Sequence, residues 1–546
     1  MSKMERRWIA AIIVLAMATT SIPLISAVQW AGSGEAYSGI RALIPGDVHV
    51  YYSYLKQVEH GNVLFSDLYT SEPQPIRMFR LDWLLVGWMG RLFHLSPVWT
   101  FQLARILVIP FFVAVLYAWC IRLFSRPVHR LGALALILFS SGWGGWWVLF
   151  RTPPTTPPQQ ELLWPMDLWV SESNNFLSMV QSPHFMLSTM FVSLVFLWTL
   201  KGWETKQWRW SLAAAAAGLI FVLFHPFHVP MLVGVLVVAF LVFAVQYPER
   251  ILDRGLRLAI VLGGITLAAL YYVFLLSQDP LTAGRAAQNI LITPRWWMMI
   301  IGYGWIFVFA GLGAIFAIVR RREQWVFPIL WAAVQIALIY TPLDFQRRLT
   351  QGLHVPLALL AAFALFGGWE IFGKKIRTRF AWVASPLVAT FVFLVGFAWT
   401  NLYMIGRDFA LFHDRPYDIF YYSAGMQKTA AWLEEHMKPG EIFLAHPISA
   451  NLLVGMSGRG TYVGHGVETL RFYEKAQEAQ SFYSTWTPEE RGRFLTDREI
   501  VILVVGPRER RLGTVDWSKW DFLERVLDTD DYDLYRVNRA DSPTAD

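Results

Sequence analysis

The sequence predicts a polytopic α-helical membrane protein of about eleven spans, with a C-terminal α/β domain outside the cytoplasm. Of its 546 residues, 55% are hydrophobic and only 16% are charged, whereas soluble globular chains average roughly 25% charged residues. Apolar runs recur between residues 8 and 403, and a spanning helix needs about 20 such residues. Basic residues gather in every second loop, which is typical of a multi-pass membrane protein.

Eleven runs are predicted to be spans. They are residues 8–27, 98–121, 131–150, 184–200, 211–224, 229–246, 258–277, 297–319, 325–341, 353–372 and 382–403. The first run follows the basic start of the chain. We interpret it as an uncleaved anchor, with a cleaved signal peptide as the alternative.

The distribution of charge predicts the topology. With a cytoplasmic N-terminus, the inside segments are the N-terminus and the loops near 122–130, 201–210, 247–257, 320–323 and 373–381, and each carries at least three Lys or Arg residues. The four later outside loops carry only Arg151, Arg285, Arg295, Arg347 and Arg348. This asymmetry follows the positive-inside rule. The formal charge of +7 is therefore assigned to topology, and no nucleic-acid partner is expected.

The apolar run from Ser211 to Val245 is interrupted by the segment 225–230. A single bent span would reverse the side of every later basic loop, so two spans joined by a tight outside turn are predicted. The first would rise only about 21 Å against a core of about 30 Å, which places the turn in a cavity below the outer surface. His225 and His228 in this turn are candidate site residues. Hydrogen-bonded turn histidines are the alternative.

The first outside loop, residues 28–97, contains Asp47 after Pro45-Gly46 and ahead of a helix predicted to begin near His49. A carboxylate there either stabilises the helix N-terminus or acts as a general base or metal ligand. The second outside loop, 151–183, is also polar, but no single residue stands out. Its candidates are Glu161, Asp167, Glu172, Asn174, Asn175, Gln181 and His184.

Arg347 and Arg348 are adjacent in the late outside loop 341–354. Topology gives no reason for two arginines on this side of the membrane. Guanidinium groups bind phosphate or pyrophosphate bidentately, so a phosphate site is predicted. Snorkelling toward outer-leaflet headgroups is the alternative.

The tail has ordinary soluble composition and a mixed pattern of elements. Predicted strands are 441–445, 461–464, 500–505 and 532–537, and predicted helices are 430–437, 449–456, 467–482 and 488–495. We therefore divide the chain into a transmembrane domain, residues 1–404, and an extracytoplasmic α/β domain, residues 405–546. The Gly-rich stretch 458–465 is interpreted as a turn and strand without a cofactor. The single cysteine, Cys120, excludes a disulfide framework and a Cys-based metal site.

The combination of Asp47 in the first outside loop, the Arg-bearing late loop and the outside tail resembles the GT-C superfamily of membrane glycosyltransferases. The segments 46–72, 457–469 and 506–509 are similar to largely uncharacterised bacterial members. The resemblance implies a GT-C fold in the plasma membrane of a bacterium or archaeon. It also implies an enzyme that transfers a sugar from a polyprenyl-phosphate or polyprenyl-pyrophosphate donor to an extracytoplasmic glycan, lipid or protein of the cell envelope.

By the same resemblance, Asp47 is the catalytic carboxylate that acts as base or orients the acceptor, and Arg347 and Arg348 hold the donor phosphate. The further candidates for substrate or phosphate contact are His49, Tyr51, His225 and His228. Val48 and His49 follow Asp47, where the family more often has a second acid. A divalent metal is therefore an open question, with no cofactor assigned.

Two other functional classes remain open. The first is a non-catalytic GT-C-like membrane subunit that binds a protein partner or partner complex. The second is a lipid or solute transporter, although the sequence has no detectable inverted repeat and few charges inside its spans, where a transporter often shows both.

Overall fold

The computed structural model describes residues 1–152, 162–379 and 386–538, which are mostly helical. The helices are α1 (Lys3–Gln29), α2 (Asp47–Glu59), α3 (Leu81–Leu92), α4 (Pro97–Leu123), α5 (Pro127–Phe139), α6 (Gly144–Trp147), α7 (Asn175–Gln181), α8 (Pro183–Thr205), α9 (Trp208–Phe224), α10 (Val229–Gln246), α11 (Ile251–Gln278), α12 (Pro280–Gln288), α13 (Trp296–Val319), α14 (Val326–Leu338), α15 (His354–Arg379), α16 (Pro386–Phe397), α17 (Trp399–Asp414), α18 (Ala424–His436), α19 (Pro447–Ser457), α20 (Phe472–Ser484), α21 (Pro488–Asp497) and α22 (Pro507–Leu512). The strands are β1 (Ala36–Tyr37), β2 (Tyr421–Tyr422), β3 (Ile442–Leu444), β4 (Gly460–Thr461), β5 (Ile500–Val505), β6 (Leu523–Asp528) and β7 (Asp533–Val537).

Within these described ranges, seven helical segments are long and apolar enough to cross a membrane. They are Lys3–Gln29, Pro97–Leu123, Pro183–Thr205, Pro226–Gln246, Pro248–Gln278, Trp296–Val319 and Gln346–Gly368. Shorter apolar helices, α5, α9 and α14, occupy three further predicted spans. The last predicted span, 382–403, begins outside the described residues, and α16 and α17 follow.

The predicted span 131–150 is wrong as a continuous helix. Helix α5 ends at Phe139, and only the short helix α6 follows before residue 150. The chain leaves the helix to pack on α13, where the Trp143 N–H donates to the Ile301 carbonyl at 2.7 Å. Gly142 permits this approach, since a Cβ there would lie 2.3 Å from the Gly302 backbone.

The predicted break in the run 211–246 is confirmed. Helix α9 ends at Phe224, a single 3₁₀ turn follows at Pro226–His228, and α10 begins at Val229. Proline supplies no N–H for a continued helical ladder, so Pro226 favours the break.

The chain forms two compact units. The helical unit comprises Met1–Ser26, Leu103–Tyr272 and Ile290–Leu411. The mixed unit comprises Ala27–Gln102, Val273–Asn289 and Phe412–Asp546. The mixed unit thus contains the tail and also the first outside loop. The sequence-based division at residue 404 stays a prediction.

Large buried aromatic side chains fill the core of the helical unit. Trp119 and Trp331 are fully buried with ring centroids 5.5 Å apart, and Phe196 packs edge-on against Trp331. Helices α13 and α15 approach closely at Gly313, where a Cβ would lie 2.1 Å from the Leu360 carbonyl oxygen. Dispersion between such closely packed groups holds helices together where lipid removes the usual hydrophobic drive.

A five-stranded sheet of order β4-β3-β5-β7-β6 organises the mixed unit. Strands β4, β3 and β5 are parallel, and β7 pairs antiparallel with β5 and β6. The continuous apolar sequence of β5, Ile500–Val505, is typical of a strand buried on both faces. Strand β6 was not predicted, because its charged sequence lacks a clear apolar alternation.

The first outside loop is part of this unit's framework. Strand β1 pairs antiparallel with β2, and the Thr461 N–H donates to the Leu68 carbonyl at 2.9 Å. Helix α2 packs on α19, where a Cβ at Gly455 would lie 2.7 Å from the His49 ring. Segments far apart in sequence therefore fold as one body.

The predicted helix 467–482 begins later than expected. Helix α20 starts at Phe472, and Arg471 before it has a positive φ of 55°. Residues 465–471, here called the 465–471 loop, are non-helical. Side chains bind backbone groups of this loop and stabilise its non-helical form, as described next.

Candidate functional site

Asp47 is the first residue of α2, and no side chain caps that end of the helix. A carboxylate in the first turn is stabilised by the helix dipole. Its Oδ1 lies 3.2 Å from Nε2 of His465, and its side chain keeps 38% of its surface exposed. The carbonyl of the preceding Gly46 accepts a hydrogen bond from Asn451 at 3.0 Å. The tail thus holds both the start of α2 and its carboxylate.

The hydrogen bonds of His465 define its tautomer. Nδ1 lies 3.3 Å from the Val467 nitrogen and 3.2 Å from the Glu468 nitrogen. Both are backbone donors, so Nδ1 is an acceptor and carries no proton. The proton of the neutral ring is on Nε2 and is donated to Asp47. The imidazole therefore fixes the orientation of the carboxylate.

The 465–471 loop is fastened by side chains on both sides of it. The Thr469 hydroxyl accepts from the Gly464 and His465 nitrogens and donates to the Tyr69 carbonyl at 2.6 Å. Gln288 donates its side-chain amide to the Val467 and Thr469 carbonyls at 2.9 and 2.8 Å. These bonds stabilise a non-helical backbone and keep His465 aimed at Asp47.

A buried ion-pair group lies at the same loop. Arg285 is 3.1 Å from Asp67 and also contacts Glu468 of the loop. Asp67 is buried, and its Oδ1 accepts from the Tyr69 nitrogen at 2.9 Å. Burial raises the pKa of the Asp67 carboxyl, while the Arg285 charge opposes that shift. Arg285, predicted only as an outside-loop residue, thus joins the first loop to the tail.

His49 and Tyr51 lie in the packing around α2. The His49 ring is fully buried, and Nε2 lies 2.5 Å from the Tyr422 hydroxyl. Burial lowers the pKa of His49 to about 3, so the ring is neutral. Tyr51 is half-buried and stacks on Trp83 with ring centroids 4.6 Å apart. Their substrate roles stay predictions, and the structure gives both a packing role.

In the helical unit, the histidine turn and the arginine loop meet. The His225 and His228 rings stack at 5.2 Å. His228 Nε2 donates to the Arg348 carbonyl at 2.9 Å. The Ser188 hydroxyl donates to the His184 carbonyl, so Nδ1 of His225 is the donor in its 2.6 Å bond to Ser188. Two candidate features of the sequence thus form one polar cluster.

The arginines of this cluster lie half-buried over aromatic rings. The Arg347 guanidinium is 4.5 Å from the centre of the Trp169 ring, and that of Arg348 is 4.7 Å from Phe227. Among the residues that the structure describes, Arg348 Nε has no hydrogen-bond partner. Cation–π contacts hold such side chains in place without neutralising their charge.

The candidate residues of the second outside loop lie within the described ranges, apart from Glu161, which falls in the undescribed stretch 153–161. Two of the described ones, Asn174 and Asp167, support local structure. Asn174 caps α7 through the Phe176 nitrogen at 2.8 Å. Asp167 is buried and accepts from the Gly144 nitrogen at 3.2 Å, and burial raises its pKa to about 7. The loop therefore anchors helices of this unit.

In the parts of the chain that the structure describes, no group of three or more His, Cys, Asp or Glu side chains is arranged to hold a metal ion. Asp47 and His465 supply two such groups. Metal dependence stays an open prediction. The sequence singled out Asp47 but not His465, because no local pattern joins residues 418 positions apart.

No family model matches the chain, and no curated protein matches it in sequence. Solved structures do match in fold. The Archaeoglobus fulgidus oligosaccharyltransferase tethered with an acceptor peptide matches with a TM-score of 0.53 at 12% identity, over 91% of this chain and 69% of that one. AglB from the same organism, in complex with an inhibitory peptide and a dolichol-phosphate, matches with a TM-score of 0.50 at 13% identity, over 92% and 70%. ArnT from Cupriavidus metallidurans in the apo state matches with a TM-score of 0.50 at 14% identity, over 96% and 98%.

These neighbours are GT-C membrane glycosyltransferases. The resemblance in the sequence is therefore confirmed at the level of fold: the chain has the GT-C fold of a membrane protein with several apolar helices.

Proposed function

We propose that this protein is a membrane glycosyltransferase that takes a sugar from a polyprenyl-(pyro)phosphate donor and transfers it to an extracytoplasmic acceptor. The observation that carries the proposal is the pair Asp47 and His465 in a chain of GT-C fold. Asp47 is exposed enough to meet an acceptor, and His465 holds it in one orientation. General-base catalysis requires this combination of access and fixed geometry.

In the proposed reaction, Asp47 takes the proton of an acceptor hydroxyl. The acceptor oxygen forms a bond to the anomeric carbon of the sugar. The bond from that carbon to the donor phosphate oxygen breaks, and its electron pair leaves with the lipid phosphate. His465 keeps its Nε2 proton throughout and acts as a positioning residue.

We assign the donor phosphate to Arg347 and Arg348. Charge that develops on the departing phosphate needs fixed positive groups, and the two guanidiniums are already held over aromatic rings. The His225 and His228 rings stack beside this pair, and the His228 Nε2–H bond to the Arg348 carbonyl holds the backbone of the arginine loop. The binding of a dolichol-phosphate by the similar AglB supports a lipid phosphate as ligand.

We infer an extracytoplasmic location for the mixed unit, with a cytoplasmic N-terminus and eleven crossings in a bacterial or archaeal plasma membrane. The unit gathers Ala27–Gln102, Val273–Asn289 and the tail, which the charge pattern independently assigns to the same side. Beyond the seven long helices, we assign three further crossings to the shorter apolar helices α5, α9 and α14. The eleventh rests on the apolar sequence of 382–403 alone.

The test is transfer by the purified full chain in liposomes, with a panel of polyprenyl-phosphate sugars as donors. Asp47→Asn keeps the size of the side chain and removes the base, so transfer should fall by roughly 10²- to 10⁴-fold. Glu474→Gln, on an exposed carboxylate of the same unit, is the matched control and should leave transfer unchanged.

Equal transfer by wild type and Asp47→Asn would reject this assignment. A stoichiometric protein partner that co-purifies with a chain inactive toward every donor would favour the non-catalytic subunit. Movement of the lipid without sugar transfer would favour the transporter.

A further inference from the structure

The mixed unit contains a cavity of about 490 Å³ on a different part of α2 from Asp47. Its walls come from β1, α2, α3, the start of α4, β2, α18 and α19, all within this unit. This volume falls within the range of roughly 300–1,000 Å³ that small-molecule sites occupy.

The cavity is separate from the proposed reaction site. On α2 it is lined by Tyr52, Leu55, Lys56 and Glu59, which recur at helical spacing on one face. Asp47 is at the opposite end of the helix and does not line it. At about 1.5 Å per residue, the lining residues of α2 lie from about 7.5 Å (Tyr52) to about 18 Å (Glu59) along the axis from Asp47.

Aromatic rings form much of the wall. Tyr37, Tyr52 and Tyr422 are buried, whereas Trp99 at the rim is 52% exposed. Lys56 and Glu59 both line the wall and pair at 3.0 Å, and Glu434 also pairs with Lys56 at 2.6 Å, so Lys56 adds no free positive charge. Rings of this kind offer broad apolar faces to a ligand ring, while the Tyr37 and Tyr422 hydroxyls are bonded to the Ile40 and Ser38 carbonyls.

Arg91 and His94 stand at the rim as basic groups. Both are exposed and line the cavity. Within the described ranges, neither side chain forms an ion pair with a carboxylate. An arginine with an unused planar fork is suited to bind a phosphate or carboxylate bidentately.

We propose that this cavity is a second ligand site, which takes an anionic, hydroxyl-bearing ring compound of sugar-phosphate size. The ring lies against Trp99 and the tyrosine wall, and Arg91 with His94 holds the anionic group. The proposal does not depend on the transfer reaction assigned to Asp47.

The same chemistry is offered by a free sugar phosphate and by a phosphate-bearing lipid headgroup. Leu92 and Phe93, next to Arg91, are 73% and 59% exposed, so the rim is apolar on one side. The experiment therefore includes an arm for each source.

The first arm titrates glucose 1-phosphate into the purified full chain in detergent and follows binding by calorimetry, with glucose and inorganic phosphate as comparison probes. Saturable binding of glucose 1-phosphate, tighter than that of either comparison probe, is expected. Arg91→Ala should weaken it about tenfold or more, and Trp99→Ala by a few-fold. The matched controls are Arg493→Ala and Trp88→Ala, since both residues are exposed and neither lines the cavity.

The second arm repeats the titration in nanodiscs of phosphatidylcholine with or without phosphatidylglycerol. A lipid headgroup as the natural occupant predicts that phosphatidylglycerol competes with glucose 1-phosphate in wild type. A free ligand predicts equal binding in both nanodiscs. Asp47→Asn should bind as wild type does in either case, which separates this site from the proposed reaction site. The absence of saturable binding, or binding unchanged in both Arg91→Ala and Trp99→Ala, would overturn the proposal.

Discussion

His465 donates its Nε2 proton to Asp47 across 3.2 Å, while its Nδ1 accepts two backbone N–H groups of its own loop. The backbone of the 465–471 loop therefore orients the His465 ring, and the ring in turn orients the Asp47 carboxylate. One end of this link is a loop of the tail, and the other is the first turn of α2. Function at Asp47 should consequently depend on a residue that does no chemistry itself.

His465→Ala removes the donor and should lower transfer about tenfold, which corresponds to the loss of one hydrogen bond to a charged group. Gln in this position still reaches Asp47 with an N–H donor, so His465→Gln should recover part of the loss. The loss in His465→Ala and the recovery in His465→Gln are both measured as rates of sugar transfer with the donor in excess. In Asp47→Asn the further change His465→Ala should cost nothing, because a positioning residue acts only through the carboxylate. Additive losses would contradict this role.

Arg348→Gln should raise the KM for the polyprenyl donor about tenfold or more, because the variant loses a charge-assisted contact to phosphate. Arg348→Lys keeps the charge but loses the planar fork of the guanidinium, so its KM for the donor should lie between those of wild type and Arg348→Gln. The measurement is transfer against donor concentration. Arg322→Gln is the matched control, since Arg322 is exposed in a predicted cytoplasmic loop. If Arg348→Gln and Arg322→Gln have the same KM for the donor, the assignment of the phosphate to Arg348 fails.

The elements that the sequence predicted correctly are those with local signals. Apolar runs identified the long helices, and the proline-bearing segment 225–230 marked the break before α10. The run 131–150 was misjudged because its exit from α5 depends on contact with Ile301 and Gly302, which no nearby residue encodes. Residues 467–471 have a helical pattern, but the side chains of His465 and Gln288 bind backbone groups of Val467, Glu468 and Thr469 and hold the segment in a non-helical form.

The candidate site likewise combines a residue with a local sequence signal and residues brought together only by tertiary contacts. Asp47 could be singled out as a candidate because a carboxylate after Pro-Gly at a helix start is a local feature. Its partner His465 and the Arg285 ion pairs arise from packing between the first loop, α12 and the tail. Such pairs are set by tertiary structure, and a single sequence carries no spacing rule for them.

The pairs of Arg285 with Asp67 and Glu468 should matter for stability. Side chains on both sides are at least 86% buried, and removal of one partner from a buried pair costs about 3–5 kcal/mol. Arg285→Met should therefore lower the apparent melting temperature of the full chain clearly, whereas Arg493→Met on an exposed site should change it little. Adding Asp67→Asn to Arg285→Met should restore part of the loss. Equal melting of both methionine variants would contradict the prediction.

His49 should make the mixed unit sensitive to acid. Its pKa is about 3 in the folded chain, because of burial, and 6.5 is the ordinary value. The unfolded chain therefore binds the proton more readily, so the stability contributed by neutral His49 is complete above pH 6.5 and is lost as the pH falls toward 3. Each pH unit within this window costs up to about 1.4 kcal/mol.

The variant His49→Gln isolates this effect, since glutamine does not titrate and still reaches the Tyr422 hydroxyl with a polar group. Unfolding of the full chain is measured between pH 4 and 7, in the window set by the two His49 values. Wild type should lose about 2 kcal/mol more than His49→Gln by pH 5. His436→Gln, which replaces an exposed histidine, is the control. Its free energy of unfolding should change with pH as that of wild type does. If the free energy of unfolding changes with pH equally in wild type and His49→Gln, the prediction fails. That result would mean that the His49 ring is protonated within the folded unit, whereas the ring is buried beside Gly455 and Tyr422.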